Sequence, residues 1–173
     1  MASQFIRHVL RLDLEEKILN IGSLSALVCV AFPWVSGEWL GGKHVTYTGL
    51  GFFTSFIGIA IVLLHLYVLL VTLIPLTGGP AIVQEKNKDG LRLFTTLLAS
   101  ALTVAAWSVL TKVSFEFRLE ISFGLYGTLI GSLVSSLYSF LLFQEKRKHT
   151  SPDIHTYTAS VPPPAIEPED HRF

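Results

Sequence analysis

Charge and cysteine are both scarce in this chain. Only 15% of its 173 residues are Asp, Glu, Lys or Arg, and 13 acidic and 13 basic residues cancel to a formal net charge of +0. That balance offers no electrostatic footprint for nucleic acid, so no nucleic-acid partner is expected. The single cysteine, Cys29, excludes an intramolecular disulfide and reads as a small core residue. Chemical motifs are missing as well. Thr77-Gly78-Gly79-Pro80 lacks the Lys-Ser/Thr ending and the preceding strand of a phosphate loop. His149, His155 and His171 are too scattered for a metal tract. No acid and base share a depth in the apolar segments, so no catalytic, cofactor-binding or metal site is expected, and an enzyme is not.

What is abundant is apolar sequence. Half the residues are hydrophobic, and they gather into four runs, residues 18–36, 50–75, 91–111 and 121–143. Each is long enough to cross a hydrocarbon core about 30 Å thick. The expectation is an all-α membrane protein, a four-transmembrane-helix bundle over residues 13–143. A cleaved signal peptide competes for the first run, but 18–36 is long for one and ends in Phe32-Pro33-Trp34 without a convincing small-residue cleavage site.

The flanks differ from the runs. Within residues 1–12, Phe5, Ile6, Val9 and Leu10 recur at helical spacing between Arg7, His8 and Arg11, the pattern of an interfacial amphipathic helix. Asp13 reads as an N-cap with Glu16 in capping-box position. Pro33 should end the first span near the far interface, where Trp34 and Trp39 suit an aromatic belt. Residues 144–173, with Pro162-Pro163-Pro164 and Pro168, have the composition of a disordered cytoplasmic tail.

Lys and Arg set the orientation. Arg7, Arg11 and Lys17 precede the first span; Lys86, Lys88 and Arg92 lie between the second and third; Lys146-Arg147-Lys148 follow the fourth. The other two connections hold only Lys43, and Lys112 with Arg118. Both termini are therefore expected in the cytoplasm, with the chain in the cell membrane.

The outer connections carry strand patterns. Glu38-Trp39-Leu40 and Lys43–Tyr47 flank Gly41-Gly42, the signature of two short strands around a two-residue turn. Val113, Phe115, Phe117, Leu119 and Ile121 alternate with Ser114, Glu116, Arg118, Glu120 and Ser122 at strand period. Hairpin and strand together predict a small extracytoplasmic β-sheet capping the bundle. The competing reading is an irregular loop with an early start to span four.

Inside the bundle, Gly127, Gly131, Ser135 and Ser139 recur every four residues, with Gly124, Thr128, Ser132 and Ser136 on the adjoining row. Such rows let helix backbones approach closely, here expected to serve packing within the chain. Span three has a milder version in Ala99, Ser100 and Thr103. His65 belongs to a stripe with Gly51, Gly58 and Thr72 at seven-residue steps, which drifts only about 20° per step. A depth count at about 1.5 Å per residue places His65 level with Cys29, Ala101–Thr103 and Ser132–Ser136. His65, Ser100, Thr103 and Ser135 thus form the candidate buried polar site. With hydroxyls but no carboxylate at its level, the histidine reads as neutral and structural; a proton or substrate site is the alternative.

Phe32-Pro33-Trp34 closing the first span, a short Gly-rich outer loop and Thr48-Gly49 opening the second resemble uncharacterised small bacterial four-span membrane proteins. That resemblance covers residues 14–145 and implies no activity. The architecture is also similar to the claudin-like arrangement in topology alone, since that family's outer-loop cysteine pair is missing. The functional expectation is a non-catalytic scaffold or accessory subunit in the lipid bilayer, binding a protein partner or a second copy through the outer cap or the tail. The alternative is a small oligomeric transporter or channel using the His65 layer.

Overall fold

The computed structural model describes residues 12–39, 42–51, 54–76, 78–79 and 83–150. The expected interfacial helix over 1–12 and the tail beyond 150 lie outside the described residues, Leu12 excepted. Four helices and three strands make up the rest: α1 (Leu14–Val30), β1 (Pro33–Trp39), β2 (Lys43–Thr48), α2 (Ser55–Leu76), α3 (Glu85–Phe117), β3 (Leu119–Ile121) and α4 (Phe123–Thr150). Three of the helices are long and apolar enough to cross a membrane, over Ser55–Pro75, Asn87–Phe117 and Phe123–Lys148. Helix α1 has 17 residues, about 25 Å at the α-helical rise.

The first expected span, 18–36, is therefore too long at its outer end. Proline disfavours helical geometry at the residue before it and has no N–H to give. The helix closes at Val30, the Ala31 N–H bonding back to its last turn, and Pro33 opens β1. At the other end Asp13 occupies the N-cap position without a side-chain cap bond, so the capping box is not formed. Glu16 is engaged elsewhere, as described below.

Strand β1 is the centre of a three-stranded antiparallel sheet in the order β2-β1-β3. Trp39 pairs with Lys43, so three residues connect the hairpin where two were expected, with Gly42 at φ +75°. The third connection departs further. Val113, Phe115 and Phe117 are helical, and only Leu119–Ile121 joins the sheet, pairing Ile121 with Val35 and Leu119 with Gly37. Arg118, at φ 54°, is the left-handed residue that ends α3 and reverses the chain. Alternation over 113–122 was misleading because Val113 and Phe117, four residues apart on one helix face, pack against the core while Phe115 is exposed.

Beneath the sheet, Trp34, Val35, Val30, Ile61, Ala106, Leu110, Leu119 and Leu125 form the hydrophobic core. Trp34 does not sit in an aromatic belt. It is fully buried, donates its indole N–H to the Cys29 carbonyl at 3.2 Å, and packs against Gly49, where a Cβ would strike the ring. At the start of the second run Leu50, Gly51 and Thr54 are not helical, and the Gly49 carbonyl lies on Gly58 of α2, the reason that position has no side chain. At the opposite end α2 closes at Leu76, with Pro75 in its last turn and Gly78 at φ +80° just beyond it. Helix α4 runs to Thr150, so residues 144–150 of the expected tail are instead its last two turns, where Lys146 bonds Asp89 of α3.

Dense packing runs between neighbours around a square: α1 on α4 and α2, α3 on α2 and α4. The outward faces are apolar, with Ile21, Leu24, Phe56, Leu63, Phe94, Leu97, Ile130 and Leu137 all exposed.

Candidate functional site

The small-residue rows of α4 face two different neighbours. Gly131 lies on the backbone of α1, so an added Cβ would come within 2.7 Å of the Gly22 carbonyl oxygen and the Ala26 nitrogen. Gly127 faces the Cys29 side chain, and Ser135 donates to the Leu19 carbonyl at 3.2 Å and meets the Ser23 hydroxyl at 3.0 Å. Ser139 completes the row, buried, its hydroxyl without a hydrogen-bond partner among the described residues. Among the described residues this row serves packing within the chain. Its counterpart on α1, Gly22, Ser23 and Ala26, was visible in the sequence but was not read.

The adjoining row faces the interior and α3. Ser100 donates to the Ser132 carbonyl at 3.0 Å and meets the Ser136 hydroxyl at 2.7 Å, and Ser136 donates to the Thr96 carbonyl at 2.9 Å. These bonds fasten α3 to α4 without any charged group. Interhelical bonds of this sort contribute about 0.6 kcal/mol each in a membrane.

His65 is fully buried and its Nε2 lies 2.9 Å from the Ser132 hydroxyl, a bond that crosses the bundle diagonally from α2 to α4. Its Nδ1 has no hydrogen-bond partner among the described residues. The four candidate residues do not converge on one point. Ser100 joins His65 only through Ser132; Thr103 bonds the Ala99 carbonyl of its own helix at 2.8 Å; Ser135 turns to α1. A serine hydroxyl on a histidine nitrogen is the first element of a nucleophilic dyad, but both side chains here are fully buried in the bundle. No group of three or more His, Cys, Asp or Glu among the described residues is placed to hold a metal ion.

The other diagonal carries charge. Arg92, the eighth residue of α3, is 2% exposed. One guanidinium nitrogen, Nη2, donates to Glu16 of α1 at 2.7 Å and to the Thr72 hydroxyl of α2 at 2.5 Å; Nη1 lies 3.7 Å from Asp89. Lys88 stands 3.5 Å from Glu16, and Lys146 of α4 bonds Asp89 at 2.8 Å. All four helices thus meet at one ionic cluster on the end of the bundle opposite the sheet. Sequence reasoning counted Arg92 as a loop charge and missed this. The legible signal was Thr72, one step along the stripe from His65, together with an arginine inside the start of an apolar run.

At the sheet end, Ser36, Gly37, Glu38 and His44 face Glu116, Phe117, Arg118 and Glu120 across an open groove of about 670 Å³. No protein-family model, no curated protein and no solved structure matches the chain.

Proposed function

We propose that this chain is a non-catalytic accessory subunit or scaffold that spans the membrane four times, keeps both termini in the cytoplasm and holds a partner protein at its outer cap. The observation that carries the reading is the groove between the sheet and the end of α3. Its volume of about 670 Å³ falls within the roughly 300–1,000 Å³ of pockets that enclose small molecules, but it is an open groove rather than an enclosing cleft. A segment of another protein suits it better. Three glutamates against one arginine give it a negative balance, so the partner segment is basic.

Two further observations support the membrane part. Helix α1 lies along α4, touching it at Gly22, Ala26 and Cys29, and so occupies the same slab as a helix long enough to span. Its outward residues Leu14, Ile21, Leu24 and Val28 are apolar and exposed. Lys88 and Lys146 share the end away from the sheet, which the positive-inside rule assigns to the cytoplasm. The transporter alternative is disfavoured because the interior hydroxyls of Ser100, Ser132, Ser135 and Ser136 are engaged with one another, with the His65 ring or with backbone carbonyls.

The test is affinity purification in mild detergent, wild type beside Glu38→Lys/Glu116→Lys/Glu120→Lys. A stoichiometric partner captured by the wild type and lost from the correctly folded variant supports the reading. No stoichiometric partner, or proton or solute flux through the purified chain alone in liposomes, overturns it.

A further inference from the structure

With the groove as the seat of the partner, as proposed above, we infer that Arg118 is its specificity residue, reading one side-chain carboxylate of an Asp or Glu set within the partner's basic segment. Among the described residues Arg118 is the one non-glycine residue at positive φ, with φ 54° and ψ 37° at the left-handed position that closes α3. Glycine suits such a position because it has no Cβ to crowd the neighbouring carbonyl, and the left-handed conformation costs other residues free energy. The cap bond itself runs from the Arg118 backbone N–H to the Ser114 carbonyl and is equally open to glycine. Closing the helix therefore uses nothing of the arginine side chain.

Nor is that side chain engaged by the acids around it. Arg118 is exposed and lines the groove, with Glu116 two residues before it in the last turn of α3 and Glu120 two residues after it on β3. Glu38 stands on β1 where the next register step after Gly37 and Leu119 would set it opposite Arg118 itself. No ion pair joins Arg118 to any of the three among the described residues. The groove thus offers two kinds of contact. Its glutamates accept Lys or Arg side chains, and the planar fork of Arg118 can donate two parallel N–H···O bonds to one carboxylate. A wholly basic segment settling on the glutamates would bring a like charge against Arg118, a repulsion that an acidic residue at that point turns into attraction.

The test offers the full chain in neutral detergent a library of short, end-blocked synthetic peptides random in Lys, Arg, Glu, Gln and Leu, followed by matched pairs that differ only in Glu or Gln. Wild type should enrich peptides with several basic residues and one Glu. It should bind the Glu member of a pair roughly tenfold more tightly than the Gln member, the effect of one charge-assisted contact. Arg118→Gly should unfold at a higher temperature, since glycine relieves the left-handed strain, and should still enrich basic peptides while binding both members of a pair alike. Arg118→Lys keeps the charge without the fork and should fall between the two. Basic peptides bound by wild type without a preference for Glu, or an Arg118→Gly protein that keeps the preference, would overturn the role of Arg118 and leave the groove as the partner's seat. Enrichment of no peptide at all would remove both together.

Discussion

Placing one methyl group at each of two neighbouring α4 glycines separates backbone packing from side-chain packing. At Gly131 the new Cβ would lie 2.7 Å from the Gly22 oxygen and the Ala26 nitrogen and 3.0 Å from the Ala26 Cβ. Two of those atoms are backbone, so the contact is relieved only if α1 and α4 move apart. Overpacking of that kind costs roughly 1–3 kcal/mol, and the helix preference of alanine over glycine returns up to about 1 kcal/mol. Gly131→Ala should therefore be destabilised by roughly 1–2 kcal/mol. At Gly127 the nearest atom is the Cys29 Sγ at 2.5 Å, the end of a side chain that can turn. The propensity gain there offsets most of the cost, leaving Gly127→Ala within about 0.5 kcal/mol of wild type. Truncating the obstacle with Cys29→Ala should improve Gly127→Ala and do nothing for Gly131→Ala. Reversible unfolding in mixed micelles with rising SDS fraction, followed by helical circular dichroism, reads the four variants. Equal responses at the two glycines, or a Gly131→Ala protein as stable as wild type, would refute the backbone-contact argument.

Glu16→Leu should destabilise the bundle by roughly 2–4 kcal/mol because Arg92 stays buried with only Thr72 and the more distant Asp89, whereas the double variant Glu16→Leu/Arg92→Met should recover most of that loss; a double variant worse than the single one in the same unfolding assay contradicts this. His65→Gln should unfold like wild type, and His65→Leu should lose no more than about 1 kcal/mol, since Ser132 can turn to its own helix. Proton flux in liposomes that vanishes in His65→Gln at unchanged stability would instead make the histidine functional. In a Cys29→Ser background, a cysteine at exposed His44 should react with a membrane-impermeant maleimide in intact cells and one at exposed Asn87 should not; the reverse pattern inverts the proposed topology.

The apolar runs announced most of the helices because crossing hydrocarbon is decided locally, by about 20 consecutive residues that leave no charge unsatisfied. The small-residue rows on α4 were equally legible, since a four-residue repeat of Gly and Ser has few uses other than close approach. The three-stranded cap was foreseen in outline from the Gly-Gly hairpin, although β3 proved to be three residues rather than ten. Tertiary structure decided the rest. Whether residues 113–117 continue a helix or begin a strand depended on what α3 and Arg118 meet above the core, not on their alternation. Trp34 went inward because Gly49, 15 positions along the chain, leaves room for its ring. His65 chose Ser132 among several hydroxyls at its depth, and Glu16 left its own helix terminus for an arginine 76 residues away. Each of these outcomes rests on long-range geometry: a hydrogen bond or ion pair forms with the group that packing brings within 3 Å, and periodicity fixes only the face on which a residue waits.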